Sequence, residues 1–436
     1  MYEVKYRDID EMKSSYIEWI GEIPIDWRIR RLKYLASIDT GNKDTQDRDD
    51  DGLYPFYVRS DTVERINSYS YEGEAILTAG DGVGVGRVFH YVDGKFAYHQ
   101  RVYKLSEFKN SCGKYLYYYV SENFHKEVMK LSAKSTVDSL RRPMFSNFPV
   151  VLPDFGLQQK IANFLDIKIA QFDQIISKKE QLIEKLEEAK KSLISEVVTG
   201  KVKIVDGQLV ERDASEMKDN GVEWLGKIPV GWNEKRVKDV FDLRNERNYK
   251  AMNDVQLLTL YTTEGIRRAE DVENKTGNTV RTVHEYKKVY RNDIVVNIIL
   301  AWMGAIGYSD YSGVISPAYD IYSPKNEVES KYYAYLFRLP KFSGECFRYG
   351  RGIMLMRWRT YSDEFRSIRI CVPSYDEQKE IVKFIDIKVA DIIKVINKNK
   401  EQIEKLKQAK QSLISEAVTG KIDLRDWEII EEGEMQ

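Results

Sequence analysis

One long segment is written twice in this chain, and that repetition constrains the fold more than any other feature. Residues 153–201 read PDFGLQQKIANFLDIKIAQFDQIISKKEQLIEKLEEAKKSLISEVVTGK, and residues 373–421 read PSYDEQKEIVKFIDIKVADIIKVINKNKEQIEKLKQAKQSLISEAVTGK. A gap-free offset of 220 residues relates Asp166 to Asp386, Glu184 to Glu404 and Gly200 to Gly420, and about half the positions are identical. A repeat longer than solenoid periods means duplicated domains. In the first copy Leu165, Ile169, Phe172, Ile176, Ile183, Leu186 and Leu193 step by three and four, leaving Lys and Glu on the other face. Ile385, Val389, Ile392, Ile396, Ile403, Leu406 and Leu413 repeat that seam in the second. Each copy ends in Thr-Gly-Lys, where Gly200 and Gly420 are placed to close a helix in the left-handed conformation. Each helix would run roughly 60 Å at 1.5 Å per residue. A narrow apolar seam on so long a rod calls for a partner helix, and the other copy is the obvious one. The seam contains two polar residues at equivalent places, Lys179 and Asn399, which either fix register or sit exposed.

The rest of the composition excludes more than it assigns. With 436 residues the chain has room for two or three domains. Lys and Arg (68) balance Asp and Glu (69), so any nucleic-acid surface must come from segregated charge, not from net charge. Three scattered cysteines, Cys112, Cys346 and Cys371, argue against a disulfide framework or a zinc site. The N-terminus lacks the apolar core of a signal peptide, and the most apolar run, residues 294–307, is shorter than a membrane span. A cytoplasmic location is the expectation.

The duplication extends beyond the helices. Residues 18–27 read EWIGEIPIDW and residues 223–232 read EWLGKIPVGW, each followed by a basic stretch: Arg30, Arg31 and Lys33, then Lys235, Arg236 and Lys238. Between each opening motif and its helix lies a domain-sized insert, and the two inserts share little sequence. Strand-like runs are expected at residues 74–78, 87–91, 97–105 and 148–152, with a helix over 114–130. In the second insert residues 289–300 and 313–322 are strand-like and 331–342 helical. The acidic run 44–51 reads as a solvated loop, and the acidic tail 428–436 as frayed.

The paired E-W-hydrophobic-G-x-I-P-x-x-W motifs, each followed by a Q-K/Q-x-I-type helix opening with F-hydrophobic-D (Gln158 to Asp166, Gln378 to Asp386), resemble the specificity (S) subunits of type I restriction-modification systems. The resemblance runs from about Met12 to Trp427. It implies an α+β fold: two globular α/β target-recognition domains separated by two long antiparallel, coiled-coil-like helices, in a pseudo-twofold duplicated architecture. The corresponding boundaries are 1–155 for the first recognition domain and 156–201 for the first spacer helix. Residues 202–372 form the second domain, and 373–436 the second helix and tail. The resemblance further implies a non-catalytic subunit that recognises a bipartite, asymmetric site on double-stranded DNA through the major groove. Its partners would be two methyltransferase (M) subunits and a restriction (R) subunit. S-adenosylmethionine for adenine N6-methylation, and ATP and Mg2+ for restriction, would sit in those partners, with no cofactor in this chain.

The residues themselves carry little catalytic signal. No Walker-type loop is present, and the glycines of Gly80-Asp-Gly-Val-Gly-Val-Gly86 fall at every second position between strand-like runs, never as G-x-G-x-x-G. That turn brings backbone close to a ligand or to a neighbouring strand, which makes Gly82, Gly84 and the following Arg87 candidate DNA contacts. The four histidines lack metal-ligand spacing. His99, beside Gln100 and Arg101, reads either as a base-reading group or as a half-buried strand residue. The positive signal is a basic loop just before each strand that leads into a long helix. The first carries Lys134, Ser135, Thr136, Arg141 and Arg142, and the second Arg348, Tyr349, Arg351, Arg357, Trp358 and Arg359. Arginine pairs bidentately with guanine or phosphate, and hydroxyls hold phosphates and set register. The plainer reading is that these arginines pair with surface carboxylates. Two other function classes compete: a stand-alone nuclease or methyltransferase, and a coiled-coil scaffold carrying aromatic-rich protein- or carbohydrate-binding modules.

Overall fold

A computed structural model describes residues 5–82, 85–131, 139–262, 265–271, 282–354 and 358–428. Residues 429–436 of the acidic tail lie outside this set. The chain divides into two units, residues 1–180 with 399–436 and residues 181–398. Each unit therefore holds one insert, the first part of the helix that follows it, and the last part of the other long helix.

The inserts share the order of one four-stranded sheet despite their different sequences, while their smaller sheets differ. In the first unit the central sheet contains β1 (Ser37–Thr40), β2 (Ala75–Ala79), β3 (Phe89–Val92) and β4 (Val102–Ser106) in the order β1-β4-β2-β3, all antiparallel. In the second, β5 (Phe241–Arg244), β6 (Ile294–Asn297), β7 (Ile306–Tyr308) and β8 (Tyr319–Pro324) follow the same order, β5-β8-β6-β7. A helix packs beneath each sheet, α1 (Gly113–Leu131) in the first unit and α3 (Ser330–Phe337) in the second. The long helices are α2 (Phe155–Val198) and α5 (Tyr375–Val418), 44 residues each.

Four expected segments are interrupted, two of them strand-like runs of the second insert: 289–300 breaks between Val289 and β6, and 313–322 between Ile315 and β8. The strand expected over 97–105 breaks at His99–Arg101, where Val102 N–H donates to His99 O (2.9 Å) and closes a turn between Lys95–Tyr98 and β4. The helix expected over 331–342 ends at Phe337, and α4 (Pro340–Tyr349) restarts with proline in its first turn. Proline cannot donate the bond that would continue the first helix but suits the start of the next.

The repeated motifs acquire a physical reason in each unit. Gly420 (φ +76°) closes α5 against the first opening motif, where an added Cβ would fall 2.5 Å from Pro24 and 2.9 Å from Trp27. Gly200 (φ +69°) closes α2 against Pro229 and Trp232 with the same spacings. The I-P-x-x-W motif is thus the socket for a helix end from the other repeat. Buried tyrosines reinforce the join: the Tyr115 hydroxyl lies 2.7 Å from Val151 O and 3.0 Å from Val418 O, and that of Tyr332 donates to Val198 O (2.8 Å).

Gln158 anchors the start of α2, accepting from Cys112 N–H (2.9 Å) and donating to Pro153 O (3.0 Å). Gln378 repeats this with Glu329 N–H (2.9 Å) and Pro373 O (3.0 Å). Two turns later Asp166 receives Lys114 (2.5 Å) and Tyr118 (2.6 Å), and Asp386 receives Lys331 (2.6 Å) and Tyr335 (2.5 Å). Burial, then the hydrogen bond to the aspartate, raise the pKa of both tyrosines, so they remain donors. Gln158→Ala is expected to cost about 1–3 kcal/mol, because it strands a buried donor and a buried acceptor; urea denaturation of the variant measures it.

The helix pairing is antiparallel. Within the first unit Lys410 of α5 meets Asp173 of α2 (2.6 Å), while Lys179 meets Gln402 (2.6 Å) and Asn399 (3.2 Å), so the partner number falls as the α2 number rises. Asn399 is buried and Lys179 meets it, so the two polar seam residues face each other within the apolar seam, the arrangement a register-setting pair requires. Leu165, Ile176, Ile385, Ile396 and Ile403 are buried, and Ile169, Phe172, Ile183, Leu186, Leu193, Val389, Ile392, Leu406 and Leu413 are half-buried. Leu193 and Ile381, Phe384, Ile385 and Val389 belong to the apolar core of the second unit. The first unit also ties residues 5–7 to 421–423: Arg7 N–H donates to Lys421 O (3.0 Å) and Asp423 N–H to Lys5 O (2.8 Å). Among the described residues no helix is long and apolar enough to cross a membrane.

Candidate nucleic-acid interface

In the first unit, segments distant in sequence meet at the C-terminal end of β2. Leu140 N–H donates to Gly80 O (2.7 Å), and Asp81 bridges to Ser139 through the backbone. The His99–Arg101 turn joins them, since Gly80 N–H donates to Arg101 O (2.8 Å). This contact explains the first glycine, because a Cβ at Gly80 would lie 2.7 Å from Arg101 O. Gly82 (φ +79°) faces open space.

Asp81 is the electrostatic centre of this cluster. Arg101 reaches one carboxylate oxygen (2.5 Å) and Arg59 the other (3.1 Å). Burial opposes its ionisation, but the hydrogen bonds from Arg101 and Arg59 outweigh that and hold its pKa below the usual carboxylate value. His99 is buried, and its Nδ1 accepts Arg101 N–H (3.0 Å). Burial, then the charge of Arg59, push its pKa below the ordinary 6.5, so the neutral ring shapes the turn that presents Arg101. Gln100 is exposed and donates to Asp44 (2.6 Å) at the head of the acidic run. That run is partly paired, with Arg48 on Asp50 (3.2 Å) and Glu64 (3.5 Å).

Arg141 and Arg142 follow Leu140 directly and are exposed, and their side chains make no hydrogen bond or ion pair among the described residues; the Arg141 carbonyl accepts from Met144 N–H (2.9 Å). Arg87 is also exposed but stands apart from the cluster. It lies beside α1, where burial, Lys126 and then Arg87 depress the pKa of His125. Gly84, Lys134, Ser135 and Thr136 lie outside the described residues.

The second unit docks its basic loop in the same way. Thr360, which stands 220 residues after Leu140, donates its N–H to Ile298 O (2.9 Å), one residue beyond the end of β6. Arg351 and Arg359 exchange both backbone bonds (2.9 and 3.0 Å) and close the base of the loop. Behind it Phe347 stacks on Trp358 (4.8 Å between ring centres), and Trp302 packs edge-on to Phe347 (5.9 Å). Trp358 Nε1 donates to Phe347 O (3.0 Å), so its ring is held by the loop, half-buried. Arg348 lies over Tyr349 and pairs with Glu345, and Arg351 lies over Tyr361 and pairs with Glu364 (3.1 Å). Arg357 lies outside the described residues.

The plainer reading thus holds in part, since Arg101, Arg348 and Arg351 each have a carboxylate. Their side chains nevertheless remain 61, 61 and 72% exposed. An exposed ion pair contributes only about 0–1 kcal/mol, whereas a bidentate guanine contact discriminates by about 1–3 kcal/mol. The carboxylates hold these arginines at the surface without burying them. Sequence reading missed Arg59, Ile298 and Trp302, which lie in no basic run or motif, and passed over Asp81 inside the glycine-rich stretch; their roles arise from chain segments converging on a strand end. Among the described residues no group of three or more His, Cys, Asp or Glu is placed to hold a metal ion.

Comparison with known proteins adds an independent finding. The sequence profile described as the type I restriction modification DNA specificity domain matches residues 24–188 and 229–405. The specificity subunit of the Escherichia coli type I restriction enzyme EcoDI is 21% identical over 413 residues, covering 92% of this chain and 90% of that protein. An MjaX sequence of Methanocaldococcus jannaschii, provisionally named a type I restriction enzyme specificity subunit, is 27% identical over 439 residues, covering 93% and 96%. Among solved structures, a chain from a study of assembly and conformational transition of the type I R-M system matches with TM-score 0.63 at 12% identity, covering 92% of this chain and 99% of that one. The crystal structure of the HsdS subunit from Thermoanaerobacter tengcongensis matches with TM-score 0.50 at 12% identity, covering 92% and 98%. At these identities the structural likeness speaks for the fold.

Proposed function

Because this chain belongs to the type I restriction modification DNA specificity family, we propose that it is the non-catalytic subunit that reads a split, asymmetric DNA site and brings partner enzymes to it. The observation that carries this reading is the matched docking of two unlike basic loops. Leu140 on Gly80 and Thr360 on Ile298 use one backbone contact at the same strand end of the sheet whose order both inserts share, yet the side chains presented differ. Equal scaffolds with unequal reading surfaces suit two half-sites of different sequence. Residues 1–155 and 202–372 serve as the readers, and 156–201 and 373–436 as the spacer. Half-sites read by paired modules commonly lie one helical turn apart, about 34–36 Å, a distance within reach of a 44-residue helix.

Methylation and cleavage belong to partner subunits in this reading. Two methyltransferase subunits supply S-adenosylmethionine and flip the target adenine out of the stack, and a restriction subunit using ATP and Mg2+ completes the complex in the cytoplasm. Support for two equivalent partner sites comes from exposed apolar residues that recur at the repeat offset. Phe155 and Tyr375, Ile167 and Ile387, and Ile175 and Val395 are each exposed on their helices. Exposed apolar positions of this kind mark interaction surfaces. Ile167→Glu and Ile387→Glu are each expected to remove one methyltransferase subunit from the complex, and the double variant both, as read by native mass spectrometry.

The function itself is tested by salt. The assembled complex should bind duplex DNA with affinity falling steeply with ionic strength, at a log–log slope of about −0.9 per phosphate contacted. A protein- or carbohydrate-binding scaffold would show no such binding.

A further inference from the structure

Two residues that follow Arg351 of the Arg351–Arg359 bridge are apolar and exposed, which charge alone does not explain. Ile353 is 93% exposed and Met354 55% exposed. Their presentation is built. The backbone bridge between Arg351 and Arg359 pinches the loop base, and the stacked Phe347 and Trp358 buttress it. Gly350 packs so tightly on Trp358 that a Cβ there would lie 2.5 Å from the indole nitrogen. The buried Thr360 hydroxyl, next to the bridge residue Arg359, donates to Cys346 O (2.9 Å). An isoleucine held outward in water forgoes about 1.5–3 kcal/mol of burial, which contact with an apolar partner would recover.

The surroundings select the partner. Arg348, Arg351 and Arg359 flank Ile353 in the sequence, and no acidic residue stands between Glu345 and Asp363. A polyanion therefore fits better than an apolar protein or lipid face. The major groove of DNA offers one apolar group on its base edges, the C5-methyl of thymine, next to the guanine edges that arginine reads. We propose that Ile353 is a specificity-determining residue that packs on a thymine methyl in one half-site, beside the bases read by the loop arginines. This inference rests on the DNA-reading function proposed above and adds a base identity to it.

Removing only the methyl tests it. The full chain, assembled with its methyltransferase subunits, is used to select preferred duplexes from a randomised pool, and each thymine of the winner is then replaced singly by deoxyuridine. One thymine should weaken binding about fourfold on loss of its methyl, the size expected for a single buried methyl group. Ile353→Ala should bind thymine and uracil duplexes equally at that position while keeping its discrimination elsewhere, and Ile353→Val should retain most of the preference. Ile353 is almost fully exposed, so these substitutions leave the core untouched. The proposal is overturned if no thymine shows a methyl effect, if the selected site has none, or if Ile353→Ala leaves the effect intact. Uracil tolerance combined with base unstacking at the loop, read with 2-aminopurine, also overturns it and points to a wedge between bases. Failure to select any duplex would instead overturn the DNA-reading function itself.

Discussion

Trp232→Ala is expected to destabilise the second unit by about 3–5 kcal/mol, the range for truncating a fully buried large aromatic. Trp232 is 2% exposed, donates from Nε1 to Glu377 (2.8 Å) and forms the wall on which Gly200 ends α2. Its loss opens a cavity, leaves a helix end without its socket and removes a hydrogen bond. Gly200→Ala attacks the same joint from the other side, combining a left-handed backbone with a Cβ only 2.5 Å from Pro229. In the first unit Trp27 is equally buried, but its Nε1 has no hydrogen-bond partner among the described residues. Leu157 stands there at the repeat equivalent of Glu377. Trp27→Ala should therefore cost the packing energy without the hydrogen-bond share. Chemical denaturation measures all three, and a loss below about 1 kcal/mol for Trp232→Ala would contradict the socket.

Replacing Arg351 and Arg359 together by alanine is expected to weaken specific DNA binding by about 2–6 kcal/mol, at 1–3 kcal/mol for each side chain that reads a base. Two residues that share a backbone bridge need not act additively, so the single variants complete a double-mutant cycle. Loss of base contacts relaxes sequence preference at defined positions, whereas loss of phosphate contacts weakens all duplexes alike and flattens the salt slope by about one unit per contact. Lys405→Ala is the comparison, since it removes a comparably exposed cation (71% for its side chain) from the long helix and should leave DNA affinity unchanged. If the double variant bound its site as tightly as the unaltered chain, this loop would not be part of the interface.

The sequence displayed the duplication, the helix boundaries and the resemblance because periodicity and identity are local properties. It did not display why the motifs belong together. That Trp27 receives Gly420 and Trp232 receives Gly200 means each socket serves the helix end nearly 400 residues later, or 32 residues earlier. Nothing in either motif encodes that exchange. Ion pairing was similarly hidden. The Arg348–Glu345 pair sits at helical spacing and was readable, whereas Arg59, Asp81 and Arg101 meet only because a strand end and two turns converge. Pro340 signalled the helix break plainly, but the apolar pattern running through it masked the signal. At the second loop the arginines drew attention away from Ile353, whose exposure depends on the backbone bridge beneath it.

The most direct measurement is a map of N6-methyladenine across a genome whose cells carry the partner subunits with either the unaltered chain or a chimera. In the chimera residues 237–368 are exchanged for the corresponding insert of a relative. The unaltered chain should yield one motif of two unlike half-sites around a fixed unread spacer, and the chimera should change one half-site while keeping the other and the spacer length. A continuous motif, or a chimera that alters both halves together, would contradict two independent readers joined by a duplicated helix pair.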